Sequence, residues 1–314
     1  MSLTEQSFYA TVGQENLADY LEIFGVNRGK AVSLETIVEA TQPWVKGDHA
    51  LPSDRVGQIS EDAKTKLGEL HKKFGINHEM PLEQGKYDNV LVLGGLHRGN
   101  ENRLSFLRIA LEVGGIVVGR VVLLGGERPV YESVERAGIE ETAKGLLDSG
   151  REVDEAGVRE IATGHRAVKN ETEMLELALY SKFSGVKFRA NLPYGKLFEL
   201  ATGTEVFVTH TDAVARPNGG NRHTTEACIR DFVNNFEDRI KDGSRIPLIA
   251  TNPHTVRTAR VAQRVIGTSD LSDVSIIPAG PAPYGSYSIE LFRGEVARLL
   301  YEDLQDTLGS RNRP

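Results

Sequence analysis

The chain has 314 residues, 39% hydrophobic and 26% charged. That is enough for one large α/β domain or two smaller ones, and too apolar for a disordered chain. A formal net charge of −7 argues against a nucleic-acid binder, which needs a basic footprint. The single cysteine, Cys228, excludes an internal disulfide and a cysteine-rich metal site; lying inside a helical pattern, it reads as a small core side chain.

The first residues, MSLTEQSFYATVGQENL, have no basic start and no apolar core, so they do not read as a secretion signal. The most apolar stretch, Gly114–Gly126, is short and interrupted by Arg120, so no membrane span is expected and the cytoplasm is the default compartment. Residues 1–85 read as a helical region. Glu15–Phe24, Leu34–Thr41 and Glu61–Phe74 carry helical periodicity, and Gln42–Ile59, with two prolines and two glycines, reads as loop.

An α/β rhythm follows over residues 86–290. Asn89–Leu93 is an apolar run ending in Gly94–Gly95, Asn102–Val113 is helical, and Ile116–Leu124 is β-branched and ends in Gly125–Gly126. Strand, helix and strand at this spacing predict a parallel crossover. Residues 129–200 break the rhythm with polar helical patterns at Tyr131–Ser149 and Asp154–Thr163, then a helix through Tyr180 opened by Asn170 and Glu173 as a capping box. They are expected to be a helical insertion. Strand Glu205–His210, helix Asn221–Arg239, strand Ile246–Ala250, helix Pro253–Ile266 and strand Ser275–Ala279 restore the pattern. Ser288–Leu308 is an amphipathic closing helix, so residues 286–314 are expected to pack on the core or on the N-terminal helices. The expected fold is α/β: a Rossmann-like open parallel sheet of at least five strands with flanking helices, plus the N-terminal helical region.

In such a sheet the ligand sits beyond the carboxyl ends of the strands. Those ends supply Gly94 and Gly95 with the loop through His97, Arg98, Gly99 and Asn100, then Gly125 and Gly126 with Glu127 and Arg128, then His210 with Asp212, Arg216, Asn218, Gly219, Gly220, Asn221, Arg222 and His223, then Thr251, Asn252 and His254, then Gly280 with the run Pro281–Gly285. Glycines permit close backbone approach, arginines hold anions and histidines hydrogen-bond. In RIPLIATNPHTVRTARVAQRVI, Asn252 can cap a helix whose first residue is Pro253, which leaves the amides of His254 and Thr255 free. That end suits an electron-rich ligand atom, within reach of His254 and Arg257. Arg260 and Arg264 continue the same helix side.

Several chemistries are not supported. GGLHRGN lacks the glycine spacing of a dinucleotide fingerprint and the Lys-Ser/Thr of a P-loop. No Gly-x-Ser-x-Gly elbow marks a serine hydrolase. His210, Asp212, His223 and His254 could converge on a metal. Yet no His-Glu-x-x-His exists and no ligand pair shares a helix face, so hydrogen-bonding roles are preferred and no metal is expected.

The order of pieces resembles the YdcF-like and SanA-like bacterial proteins, a group carrying a domain of unknown function. The residues that carry the resemblance are Leu93–Gly95 with Arg103, Leu124–Gly126, Asn170–Glu173, Asn221–Glu226 and Thr251–Arg257, with Leu248–Gly267 the closest piece. It spans about residues 88–280. The resemblance implies a Rossmann-like fold. For the soluble branch it implies a small-molecule ligand such as S-adenosylmethionine, held near Arg103, Glu171 and Thr225 or Glu226. The long insertion and the His210–Gly220 loop depart from the family pattern.

The first expectation is therefore a binder of an adenosyl or nucleotide-like molecule, with transferase activity as an extension. A hydrolase or phosphotransferase acting on a phosphorylated small molecule is the second, with His210, His254 or Glu171 as candidate catalytic groups. A non-catalytic interaction scaffold is the third.

Overall fold

The computed structural model describes residues 7–26, 33–45, 59–212, 214–215, 221–222, 224–269, 271, 273–283 and 289–311. Arg216, Asn218, Gly219, Gly220 and His223 lie outside the described residues, as do Tyr284 and Gly285 at the end of the run that follows Gly280. The chain forms an α/β fold with an N-terminal helical region, divided into two compact units. One comprises residues 1–79, 252–260 and 282–314; the other comprises residues 80–251 and 261–281.

The first unit is helical. It contains α1 (Phe8–Val12), α2 (Gln14–Ile23), α3 (Leu34–Val45) and α4 (Glu61–Lys73). α3 runs past Thr41 and carries Pro43 in its last turn, although Gln42 onward reads as loop in the sequence. The core gathers Leu17, Tyr20, Leu21, Ile37, Leu67, Leu70 and Phe74 with Phe292, Val296 and Leu300 from the closing helix. Tyr20 packs its ring against Phe24, Trp44, His71 and Phe74. Burial pushes the His71 imidazole down to about 4, so it is neutral at pH 7, stacked on Phe292 at 4.3 Å and hydrogen-bonded to Tyr20 at 3.2 Å.

The second unit is built on a seven-stranded sheet. In chain order its strands and helices are β1 (Gly85–Leu93), α5 (His97–Val113), β2 (Ile116–Gly126), α6 (Glu132–Asp148), α7 (Ala156–Ala162), α8 (Glu171–Lys182), β3 (Lys187–Leu192), β4 (Gly195–Glu199) and β5 (Glu205–Thr211). A two-residue ladder, β6 (Val214–Ala215) with β7 (Asn221–Arg222), is followed by α9 (Thr225–Phe236), β8 (Arg245–Ile249), α10 (Thr255–Ile266), whose residues 255–260 count with the first unit, and β9 (Ser275–Ala279). The closing helix of the first unit, α11 (Ile289–Arg311), packs on α3 and α1.

Sheet order is β3-β4-β5-β2-β1-β8-β9. β5, β2, β1, β8 and β9 run parallel to one another; β3 and β4 form an antiparallel hairpin on the edge, with β4 antiparallel to β5. The five expected strands are the parallel ones. The hairpin falls inside residues 129–200, which read as helical. Its signature is the short alternation Lys-Phe-Arg-Ala-Asn-Leu, whose faces are half-buried rather than cleanly apolar. The parallel strands read as continuous apolar runs because both faces are covered: Val90, Leu91, Val92, Val122, Leu123 and Leu124 are all fully buried.

Three helix starts differ from the sequence expectation. α5 starts at His97 rather than Asn102 because the Glu135 carboxylate accepts the His97 N–H at 2.8 Å. α9 starts at Thr225 rather than Asn221 because the Thr224 hydroxyl accepts the Ala227 N–H. α10 starts at Thr255 rather than Pro253. Asn252 does not cap it: Nδ2 donates to the His78 carbonyl, Oδ1 accepts no hydrogen bond among the described residues, and the first helical bond runs from Thr258 N–H to the His254 carbonyl. The Asn252–Pro253 peptide is cis. Asn170 does cap α8, accepting the Glu173 N–H at 3.1 Å; Glu173 in turn reaches Lys169 N–H at 2.6 Å.

α8 also carries a buried charge. Glu176 is 2% exposed, with Lys196 Nζ at 2.7 Å, and Lys196 also reaches Glu155 at 3.1 Å. Burial outweighs the pull of Lys196 and pushes the Glu176 carboxyl from 4.5 up to about 7. Between those values the folded chain holds a proton that the unfolded chain has released. The group's contribution is therefore complete below about pH 4.5 and is lost as pH rises toward 7. Glu176→Gln is expected to flatten this slope by about 3 kcal/mol. Urea denaturation at pH 5 and pH 8 would read it.

Candidate functional site

In the sheet of the second unit the chain direction reverses at β1. β2 and β5 lie on one side, β8 and β9 on the other. The crevice outside the carboxyl ends at such a reversal is where open α/β sheets bind ligands. Gly94, Gly95, Gly125, Gly126, His210 and Thr251 all sit at that edge. Leu93 is in register with Leu124, and Gly125 with His210.

At the reversal itself, Arg103 reaches back from α5. Its side chain is buried, donating through Nε to Thr251 Oγ1 at 3.0 Å and through Nη1 to the Leu93 carbonyl. It thereby ties the ends of β1 and β8 together. Gly95 is small for this reason: a Cβ there would lie 2.9 Å from Arg103 Nη1.

The next strand end holds a buried ion cluster. Arg128, which follows Gly125–Gly126 and Glu127, donates through Nε to Glu171 at 2.9 Å and through both terminal nitrogens to Glu135 at 2.8 and 3.0 Å. Nη2 also donates to the Gly95 carbonyl at 2.8 Å, and the guanidinium lies 4.9 Å from the centre of the Tyr131 ring. Burial opposes charge on Glu135, yet Arg128 and the amides of Tyr131 and His97 hold its carboxyl below the usual range. Glu135 therefore sits as an anion on the first turn of α5, where the helix end favours negative charge. Glu171 opens α8.

Glu171 explains Gly94. A Cβ on Gly94 would lie 2.2 Å from Glu171 Oε1 and 2.8 Å from the Leu124 carbonyl oxygen. Gly94→Ala is expected to push Glu171 out of its bond to Arg128 and to cost about 2–3 kcal/mol. Thermal denaturation would measure it, and a loss below about 0.5 kcal/mol would show that the packing relaxes freely. Gly125 is similarly confined, its would-be Cβ 2.8 Å from Thr172 Oγ1.

The third cluster joins the ends of β2 and β5. His210 Nδ1 lies 3.1 Å from Thr172 Oγ1, while His210 Nε2 lies 3.4 Å from Glu127 Oε1 and 3.9 Å from Asp212 Oδ1. Thr172 is buried; Glu127 and Asp212 are exposed. Thr225, at the start of α9, is half-buried, and Glu226 is paired with Arg230 one turn on.

Asn252, His254 and Arg257 belong to the helical unit. There His254 Nδ1 and Arg257 Nε lie 2.8 and 2.7 Å from the two oxygens of Glu295, which is fully buried. Arg260 donates to Asp303, which also accepts the amides of Phe8 and Tyr9, and to Asp306 at 2.8 Å. Cys228 is buried, its thiol pushed up to about 12 by burial.

Sequence reasoning placed Glu127 and Arg128 at the strand-end rim without giving either a role of its own, and it did not single out Glu135, Thr172 or Glu295. Glu127 and Arg128 directly follow a glycine pair at a strand end, which is a usable signal. Glu135 lies seven residues after Arg128 but also caps α5, 38 residues back, and Glu295 lies 38 to 41 residues from Arg257 and His254; helical periodicity marks neither pairing. Among the described residues no helix is long and apolar enough to cross a membrane. Comparison of the chain with protein-family models, with curated proteins and with solved structures gives no match.

Proposed function

We propose that the chain is a Rossmann-like small-molecule-binding protein of the soluble YdcF-like type, taking an adenosyl or nucleotide-like ligand such as S-adenosylmethionine at the strand-end crevice of its α/β unit. The observation that carries this reading is the gathering of Gly94, Gly95, Arg103 and Thr251 at the reversal between β1 and β8, beside Glu171 and Arg128. Ligand class follows from charge. The start of α5, where a mononucleotide fold would place phosphate, already holds the Glu135 carboxylate. A crevice whose phosphate position is already taken by a carboxylate suits ribose hydroxyls or a cationic sulfonium better than a phosphate. Transfer chemistry on that ligand would be an extension of the same site.

The hydrolase or phosphotransferase reading keeps one supporting observation. His210 is about one-third exposed and anchored through Nδ1 to Thr172, which leaves Nε2 facing outward beside Glu127.

A thermal-shift series with S-adenosylmethionine, S-adenosylhomocysteine, adenosine nucleotides and sugar phosphates separates the two. A ligand at a hundredfold excess over its Kd adds about 2.7 kcal/mol to the folded state. Adenosyl compounds are expected to raise Tm in a concentration-dependent way, and Thr251→Val, which frees Arg103 from its anchor, to weaken the effect. A response to sugar phosphates alone would transfer the assignment to the second reading.

A further inference from the structure

We propose that Glu127, His210 and Asp212 form a mononuclear site for a divalent first-row transition metal at the carboxyl ends of β2 and β5. The site does not depend on the adenosyl ligand. Its three ligand atoms, one from each side chain, lie within 4.8 Å of one another.

The sheet itself creates the grouping. His210 and Asp212 are two residues apart at the end of β5, so strand alternation puts both on one face. Gly126 is in register with Thr211, and Glu127 N–H donates to the Thr211 carbonyl at 3.2 Å, which brings Glu127 alongside the pair. Helix-based ligand spacings do not apply here: the pairing is made across two strands.

Spacing fits a metal. Two ligands each about 2.1 Å from a tetrahedral ion stand about 3.4 Å apart. The His210 Nε2 to Glu127 Oε1 distance is 3.4 Å. Asp212 is 3.9 Å from Nε2 and 92% exposed, so its side chain has room to close the remaining half ångström. With three protein ligands, at least one position stays open to water or substrate, as in catalytic rather than structural sites.

An outer partner supports the assignment. Thr172 Oγ1 lies 3.1 Å from His210 Nδ1 and 3.4 Å from the Gly126 carbonyl. With the hydroxyl donating to the Gly126 carbonyl, its oxygen accepts Nδ1–H and Nε2 presents its lone pair to Glu127 and Asp212; a bound cation selects this tautomer over the one in which Nε2–H donates to Glu127. A metal-binding histidine held through its other nitrogen is the usual arrangement. One imidazole and two carboxylates suit Mn²⁺, Fe²⁺, Co²⁺ or Zn²⁺ better than Cu⁺.

The test uses the tag-free full chain, stripped with chelator and titrated with Co²⁺ alone. Calorimetry is expected to show one saturable equivalent per chain, and visible absorption the d–d bands of a protein-bound Co²⁺. His210→Gln and Asp212→Asn are each expected to weaken binding tenfold or more, and Thr172→Val by about 10–100-fold. Asp212→Asn alters an exposed side chain, so its metal-free Tm is expected to match the parent chain. Absence of saturable Co²⁺ binding to the parent chain would overturn the proposal. So would equal binding by the His210→Gln and Asp212→Asn variants, which would place the ion on another histidine. Either failure leaves the adenosyl response of the thermal-shift series intact, since that rests on the β1–β8 crevice.

Discussion

Glu295→Ala is expected to destabilise the helical unit by about 3–5 kcal/mol, the cost of breaking a buried ion pair and leaving its partners uncompensated. Glu295 has no solvent exposure and faces three basic groups: Arg257 at 2.7 Å, His254 at 2.8 Å and Arg298 at 3.5 Å. Burial favours the protonated carboxyl, but Arg257 and then His254 overcome it and hold Glu295 far below the usual carboxylate range. A depressed carboxylate stabilises the folded chain above its unfolded value and loses that contribution as pH falls. The loss begins as pH drops through the ordinary carboxylate value of 4.5. Urea denaturation at pH 7 and at pH 4 would show both effects: a large deficit in Glu295→Ala at neutral pH, and a shallower acid slope than in the parent chain. A neutral-pH deficit under about 1 kcal/mol would mean that water reaches the cluster and screens it.

Arg128→Ala is the second large effect, again about 3–5 kcal/mol. The guanidinium spans Glu135 and Glu171, both buried, and its removal strands two carboxylates in the interior. Burial works against the charge of Arg128, yet the two carboxylates hold its proton more firmly than usual. Arg128→Lys should recover only part of the loss, because an ammonium cannot fork between two carboxylates and the Gly95 carbonyl as this guanidinium does. Denaturation of both variants would check the order. Amide exchange at His97 and Arg98 adds a local readout, since the first turn of α5 depends on Glu135 staying in place.

These two clusters show how far the residues of the rim were readable. Gly94, Gly95, Gly125 and Gly126 announce themselves as glycine pairs closing apolar runs, and the structure puts all four at one sheet edge. The crowding at three of them is another matter. Glu171, Arg103 and Thr172, from other elements, stand where a Cβ on Gly94, Gly95 and Gly125 would go. Arg103, expected near the crevice by resemblance, does reach it, but as a buried tie between two strand ends. His254 and Arg257, expected together by helical spacing, are together around a carboxylate 38 to 41 residues away.

The sequence by itself determined the alternation of strands and helices, the parallel core and the N-terminal helices, because hydrophobic periodicity and turn chemistry act over a few residues. Tertiary structure alone decided the edge hairpin, the true starts of α5 and α10, and which charges meet. Those outcomes depend on partners such as Glu135, His78 and Glu295 that approach only after the chain has folded. A carboxylate inside a helix looks the same in sequence whether it faces water or three basic side chains. Only burial, which strips its solvent, distinguishes the two.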